Sequence, residues 1–584
     1  MKNIAVFCIF VAMITLIIAL PVAYPGVDRE ENTVQVTVLA VNDFHGHLFA
    51  EQQLNDRPAG SAPVLASYLK SAMDTSEGAA TILALTGDTV GASPREASLL
   101  MDEPSILFFN SFTDPSCGSG DDIRHSSCNV ISVPGNHEFN RGVEELLRMN
   151  YGGNGNVSIP RLTDPYPGSL ADTICANVVW KENGTPIFPP YTIREVDGIR
   201  IAFIGAVTIE TPILELPQNI EHVEFLDEAE TVNRYVPELQ EQGIHAFVVL
   251  LHNGGKQEPY EGPTRQGCNV TGPIVNITAD FDPDIDVVLA AHSHSFMNTY
   301  LQNSGGNDVL VVEAYAYGKG YADVKINIDA ATGEIIEKSA VIVPVYADQP
   351  PGTSPDLSIE EFLVDVEDAV NQLDSEVITT AASDITRTPD WAGESALGDL
   401  VADSQRAAMG TDIAFATAGS LAGSLQADLT SGNITWNDLE AVLPADASMA
   451  TTYGGWYSRP HVASRNITGD QIVTMLERQW ETPVPAEILS VSGLTYAYDP
   501  TLPVGSRVTE VLVNGMTLDS NATYTAAMNY YMAYGMGGDF SPAWDWNVTV
   551  TVGPTDIDAL LTYIQSLPEP MDVTADGRVV RLEE

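Results

Sequence analysis

Five apolar runs in the first half of the sequence each end in an aspartate or a histidine. Thr33–Val41 alternates and is rich in β-branched residues, a strand that stops at Asn42-Asp43-Phe44-His45-Gly46. Ala80–Leu85 stops at Thr86-Gly87-Asp88, and Val130–Val133 at Pro134-Gly135-Asn136-His137-Glu138-Phe139. Ala246–Leu251 stops at His252, and Ile285–Ala291 at His292-Ser293-His294. Ile199–Val207 reads as a further strand without such an ending. In sheets rich in parallel strands, ligand-binding residues collect at the carboxyl ends of the strands. The expectation is therefore an α/β fold with one site along one sheet edge.

Residues two apart on an extended backbone share a face, so Asp43 with His45, and His292 with His294, can serve one centre. Alone, Asp43 and His45 would pass for a surface pair and Asp88 for a helix N-cap. Five coincident placements favour a common site. Of ten histidines, His45, His137, His252, His292 and His294 stand at these ends. His47, His125, His222, His245 and His461 do not, and are expected to be ordinary surface or satisfied residues. An amide oxygen such as that of Asn136 is a poor base but a good ligand for a hard metal. The imidazole beside it, His137, can give a proton or a hydrogen bond to a substrate oxyanion. Glu138 is expected to serve the fold or to support the ligands from behind.

The chain is long enough for two or more cored domains. With 26 Lys and Arg against 79 Asp and Glu, its formal charge is −53, which argues against a nucleic-acid polymer or an anionic membrane surface as partner. The acids are scattered rather than gathered in a tail. Such a surplus fits a protein adapted to high salt, where repulsion is screened over roughly 3 Å at 1 M. Met1-Lys2-Asn3 and the nearly uncharged Ile4–Ala23 make residues 1–24 an export signal or a retained N-terminal anchor, hence a secreted or cell-surface protein. Cys117, Cys128, Cys175 and Cys268 then suggest two disulfides, with Cys117–Cys128 closing a short polar loop and Cys175–Cys268 the default second pair. Eight Asn-x-Ser/Thr triplets fit an exterior location weakly.

The order Asp-x-His, Gly-Asp, Gly-Asn-His-Glu, His, His-x-His resembles the calcineurin-like metallophosphoesterases. Asn42-Asp-x-His-Gly and Asn-His-Glu-Phe, with the stretches Glu394–Asp403, Gly432–Thr435, Val491–Tyr496, Gly537-Gly-Asp539 and Asp576–Val579, are similar to the 5′-nucleotidase/UDP-sugar hydrolase family over about residues 35–582. The resemblance implies a four-layer αββα metallophosphoesterase sandwich over 33–347 and a smaller α/β substrate-binding domain over 377–582. Between them, 354–376 reads as a linker helix, started by Ser354-Pro355 and apolar along Ile359, Phe362, Leu363, Val366 and Val370. The resemblance also implies two divalent cations. Asp43, His45, Asp88 and His294 would hold one, and Asp88, Asn136, His252 and His292 the other, with Asp88 bridging. The mixed nitrogen and oxygen set suits Mn, Zn, Co or Fe. His137 would protonate the leaving group or stabilise the transition state. The implied reaction is hydrolysis of a phosphate ester by metal-activated water, most simply of nucleoside 5′-monophosphates. Phosphodiester or UDP-sugar hydrolysis, or a weakened binding protein on the same fold, are the alternatives.

The sequence departs from the family at several positions. Asn140 stands where relatives carry the aspartate that holds the catalytic histidine; an amide can orient the ring but cannot match a carboxylate against an imidazolium, so turnover is expected to suffer. In the second domain the family's Asn and Arg fall on the Leu421–Gln426 stretch, leaving Gln426 at the substrate, and a second Arg falls on Gly393. The stacking Phe after Leu443-Pro444 is replaced by Ala445, with Trp436 or Tyr453 as possible substitutes, while Tyr531 and Asp539 survive as substrate-binding candidates.

Overall fold

A computed structural model describes residues 33–49, 52–75, 80–118, 124, 127–155, 160–266, 269–417, 425, 427–444, 460–481, 488–535 and 549–582. The expected signal or anchor, and Gln426, Tyr453 and Asp539, lie outside the described residues. Among the described residues no helix is long and apolar enough to cross a membrane.

The alternation of the strands builds the first domain. In Thr33–Val41 the residues Val34, Val36, Val38 and Ala40 face one core, while Leu39 and Val41 face another. Ala80–Leu85 divides likewise, Ile82 and Ala84 from Leu83 and Leu85. In the second half of the domain Val248 and Leu250 join the core of Val36 and Val38, whereas Phe247, Val249 and Leu251 turn away from it. A strand apolar on both faces must be covered on both. Two six-stranded sheets satisfy this by packing face to face. The first runs Ile335–Pro344, Gly320–Asp329, Thr33–Val41, Ala80–Leu85, Val130–Ser132, Asp172–Thr173. The second runs Phe296–Gln302, Asp308–Ala314, Val287–Ala290, Ala246–His252, Ile199–Val207, Tyr191–Val196. Helices Ala62–Thr75 and Glu103–Asn110 cover the outer face of the first through Leu65, Leu69, Phe108 and Phe109. Helix Glu228–Glu241 covers the second through Val232, Val236 and Leu239. This is the four-layer αββα sandwich.

The registers are parallel in the middle of each sheet. Leu39 pairs with Leu83 and Leu83 with Val130, while Val249 pairs with Ile204 and Val288. All five runs that end in Asp or His lie in these parallel centres, so their carboxyl ends open on the same edge of the sandwich.

The linker helix spans Leu357–Asp374, beginning after the expected Ser354-Pro355 because Asp356 is the N-cap, its side chain accepting from the amides of Ser358 and Ile359. Ile359, Leu363, Val366, Ala369 and Val370 are buried, and Phe362 is half-buried. Lys70 Nζ holds Asp356 at 2.6 Å, and Arg95 pairs with Asp374 at the other end, so the helix is pinned to the first domain. The second domain carries a five-stranded sheet (Ser490–Ser492, Ile413–Ala416, Thr523–Asn529, His461–Thr468, Val550–Thr555) and a four-stranded one (Met516–Thr517, Val508–Val513, Leu494–Tyr498, Val579–Arg581).

Cys117 and Cys128 are joined by a disulfide. The second pair is a correction: Cys175 is a buried free thiol, packed with Phe139, Val178 and Phe188, and Cys268 lies outside the described residues. Its apolar surroundings push the thiol up to about 12.

Candidate metal centre

The strand ends bend sharply to bring their side chains together. Asp43, His45, Asp88, His292 and His294 have φ of 50°, 48°, 50°, 72° and 52°, the left-handed region that non-glycine residues seldom occupy. Such local strain is maintained only where surrounding structure fixes it. Here two loops are laced by their backbones, with Asp43 N donating to Gly87 O at 3.1 Å and His45 N to Asp88 O at 2.9 Å. Glu138 closes a third loop onto them: its carboxylate accepts from the amides of Asp88 at 2.9 Å and Thr89 at 2.7 Å, and from Gly135. The expectation that Glu138 serves the fold fits this geometry. Two glycines make the approach possible. A Cβ on Gly135 would stand 2.2 Å from Asp88 Oδ1, and one on Gly87 2.4 Å from His252 Nδ1.

Within this frame two groups of donor atoms converge, Asp43, His45, Asp88 and His294 in one and Asp88, His252 and His292 in the other, each with its ligand atoms within 4.8 Å of one another. Asp88 belongs to both. Its Oδ2 lies 3.5 Å from His45 Nε2 and 3.1 Å from His252 Nε2, while its Oδ1 accepts from the His137 amide at 2.9 Å. Asn136 Oδ1 is 3.2 Å from His252 Nε2 and so joins the second group. His45 Nε2 and His294 Nε2 approach to 3.2 Å, and His294 Nε2 stands 3.4 Å from Asp43 Oδ1.

The donor set fits two divalent cations. His45 Nδ1 donates to Gly91 O at 2.7 Å and His252 Nδ1 to Thr86 O at 2.8 Å, which turns both Nε2 lone pairs inward. Asp43 is steadied by the His292 amide at 3.0 Å and by Asn42 Nδ2 at 2.7 Å. Electrostatics agree. Burial disfavours a charged His252, but Asp88 beside it and Asp43 beyond bring the ring up to about 10. Burial likewise opposes ionisation of Asp88, yet His252 and His137 hold it well below the usual carboxylate range. His45, where burial dominates over Asp88, falls to about 3. The pocket thus favours positive charge between Asp88 and His252, where a metal would compete with the proton, and keeps His45 neutral with its lone pair available.

His137 stands beside the groups rather than in them, its ring edge-on to His45 with centroids 5.0 Å apart. Its Nδ1 bonds Asn140 Oδ1 at 2.9 Å. Behind Asn140 lies a residue the sequence did not single out: Asn140 Nδ2 donates to Glu215 Oε1 at 2.8 Å. Burial raises this glutamate well above the usual carboxyl range, with the Asn140 bond working against it. Gly91 leaves room for the pair, since a Cβ there would stand 2.5 Å from His137 O and 2.6 Å from Asn140 Oδ1. Glu313 was missed as well. It braces the His-x-His turn by accepting from Ser293 Oγ at 2.8 Å and the Ser295 amide at 3.0 Å. A lone carboxylate closing the apolar run Val309–Val312 was the available signal. Tyr317 packs between His47 and His294, centroids 4.2 and 5.2 Å away, so His47 belongs to the wall of the site.

A cleft of about 700 Å³ leads away between the domains, lined by Asn140, Arg141 and Asn219 on one side and Trp436, His461 and Asp558 on the other. Tyr531 does not line it; the side chain is buried with Tyr530, Leu216 and Val552. Gly393 has no room for the family's arginine, because with φ of +98° its Cβ would meet Ile488 Cγ1 at 2.3 Å. A third acidic cluster, Glu394, Asp399 and Asp576, is structural: Glu394 accepts from the amides of Asp576, Gly577 and Val579 at 2.8 Å each.

The sequence model of the calcineurin-like phosphoesterases matches residues 36–296, which contain every residue of the two donor groups. That of the 5′-nucleotidase C-terminal domain matches 374–544. The chain belongs to the calcineurin-like phosphoesterases that carry a 5′-nucleotidase C-terminal domain. The matched phosphoesterase model and the two donor groups together point to metal-dependent phosphoester hydrolysis as the chemistry of the first domain. It is 32% identical over 553 residues to endonuclease YhcR of Bacillus subtilis, covering 94% of this chain but 41% of that protein. It is 28% identical to the cell wall protein Lmo0130 of Listeria monocytogenes, covering 99% of this chain and 72% of the relative. The solved structure of Haemophilus influenzae NAD nucleotidase shares the two-domain fold, with a TM-score of 0.54 at 18% identity over 91% of this chain and 96% of that one. This chain spans less than half the length of the endonuclease it resembles.

Proposed function

We propose that the protein is an exported 5′-nucleotidase-like phosphatase, taking nucleoside 5′-monophosphates or related nucleotides. The observation that carries this is Asp88 shared between two donor groups, with an interdomain cleft that reaches the neighbouring residues Gly91 and Asn140. Asp43, His45, Asp88 and His294 hold one cation, and Asp88, Asn136, His252 and His292 the other. Two such ions supply an activated water and offset the charge of the phosphoryl group. The protein's own residues do the rest. Asp43 and Asp88 fix the spacing through the laced loops, and His137 carries the proton that the leaving oxygen receives. Trp436 and His461 offer a face for a base in the cleft, with Asp539 and Gln426 as further candidates in the second domain. The domain limits follow the sequence reading, 33–347 and 377–582 about the linker.

Export is supported by the apolar N-terminal stretch, by the Cys117–Cys128 disulfide and by likeness to a protein named for the cell wall. The surplus of acid supports work in high salt, which a melting temperature rising between 0.1 and 2 M NaCl would test. A second reading, phosphodiester hydrolysis, is favoured by the likeness to an endonuclease, although a charge of −53 repels polynucleotides.

The experiment is turnover with Mn²⁺, Zn²⁺ or Co²⁺ at low and high salt on AMP, UDP-glucose, a 2′,3′-cyclic nucleotide, bis-p-nitrophenyl phosphate and single-stranded DNA. AMP as the best substrate is the expected result. Preference for a diester moves the assignment to the second reading. No turnover with two metals bound per chain would leave only a binding role.

A further inference from the structure

The residue whose side chain holds His137 is Asn140. An amide has an acceptor at one end and a donor at the other, and nothing in the residue itself decides which end meets the histidine. Asn140 is held from both sides. Its backbone carbonyl accepts from Asn219 Nδ2 at 2.6 Å, and its side-chain nitrogen donates to Glu215 Oε1 at 2.8 Å. That leaves Oδ1 for His137 Nδ1, 2.9 Å away. Glu215 follows a short helical turn, Thr211–Leu214, and returns its amide to Thr211 O at 2.9 Å. It is 5% exposed, and among the described residues its second oxygen, Oε2, is buried with no hydrogen-bond partner. A buried carboxyl with a single side-chain partner is costly to keep for packing alone.

We propose that Glu215 is a positioning residue: acting through Asn140, it turns the amide oxygen toward His137 Nδ1 and so fixes the ring for proton transfer. The inference rests on the reading of His137 as the proton donor. In that step the bond between phosphorus and the leaving oxygen breaks, and the oxygen keeps the electron pair. It receives the proton from His137 Nε2, and the ring returns to its neutral form with Nδ1–H still on Asn140. Glu215 Oε1 accepts from Asn140 Nδ2, which takes up the donating end of Asn140 and leaves Oδ1 to the ring. A glutamine at 215 has the same size but can present either end, and no longer dictates the amide's orientation. An aspartate at 140 facing an intact Glu215 would set two carboxyl groups against each other at hydrogen-bond distance, which requires a shared proton.

Four variants of the full chain, assayed at saturating metal, test this. E215Q is expected to lower kcat about tenfold or more, with KM within twofold and two metals still bound per chain. N140D alone should be no faster than the unmodified protein. N140D/E215Q, with the carboxylate in direct contact with the ring, should recover kcat to within about threefold. Wild-type kinetics in E215Q would overturn the proposal, as would a double variant no better than E215Q, or a loss in E215Q that tracks metal content or melting temperature. H137A separates the two levels. Full activity in H137A would remove the underlying reading of His137, whereas an inactive H137A beside a fully active E215Q removes only Glu215.

Discussion

His252 Nε2 lies 3.1 Å from Asp88 Oδ2, and the two residues come from different sheets. The contact closes the seam between the halves of the sandwich at the edge where the parallel strands end. It places a carboxylate where two cations can share it, so Asp88 should govern both. Asp88→Asn is expected to reduce bound metal from two per chain to one or fewer and to lower kcat by about 10³-fold or more. Metal analysis alongside kcat decides it; full metal content with normal kcat would refute the bridging role.

Gly91 should act on His137 and Asn140 through its missing Cβ, and on His45 through its carbonyl. It has φ of +81°, and a Cβ would reach within 2.6 Å of Asn140 Oδ1. Gly91→Ala is expected to lower kcat by about 10- to 100-fold through misplacement of the pair, and to weaken metal binding where the shifted carbonyl releases His45. Steady-state kinetics with metal analysis would show it.

Asp399 in the second domain gives a pH signature remote from the metals. Burial raises its carboxyl, Arg578 opposes this and Glu394 adds to it, leaving it at about 9. The folded state therefore keeps a proton that the unfolded chain gives up near 4. Its contribution to stability is greatest below that value and is lost as pH rises toward 9. Asp399→Asn, which resembles the protonated acid, should melt near the parent at pH 5 and above it at pH 8. A gap between the two melting temperatures that does not widen with pH would contradict this.

Cys175 should resist alkylation in the native protein. It is fully buried, and its thiol is raised to about 12, so thiolate is scarce at neutral pH. Peptide mapping after iodoacetamide treatment should find it unlabelled until the protein is unfolded, and labelled with no reductant present. A need for reductant would restore the disulfide expected from cysteine counting.

Much of this was legible in the order of residues. The alternation of Val34, Val36 and Val38 against Leu39 and Val41 encodes a strand buried on both faces, because side-chain direction has period two along any extended chain. The same rule put Asp43 with His45, and His292 with His294, forward as ligands, although in the fold their backbones are left-handed rather than extended and the two histidines join different donor groups. Spacing along one strand is local information, and the sequence determined it. Which strands lie side by side is not local. Only the fold could put Asp88 between His45 and His252, Glu313 behind Ser293, and a buried Glu215 against Asn140 across 75 positions of sequence. It also decided that Cys175 would meet apolar side chains rather than another sulfur. The sequence alone specified the chemistry carried at each strand end. Tertiary packing, by choosing neighbours for groups whose charge and hydrogen bonds depend on them, decided what each of those residues can do.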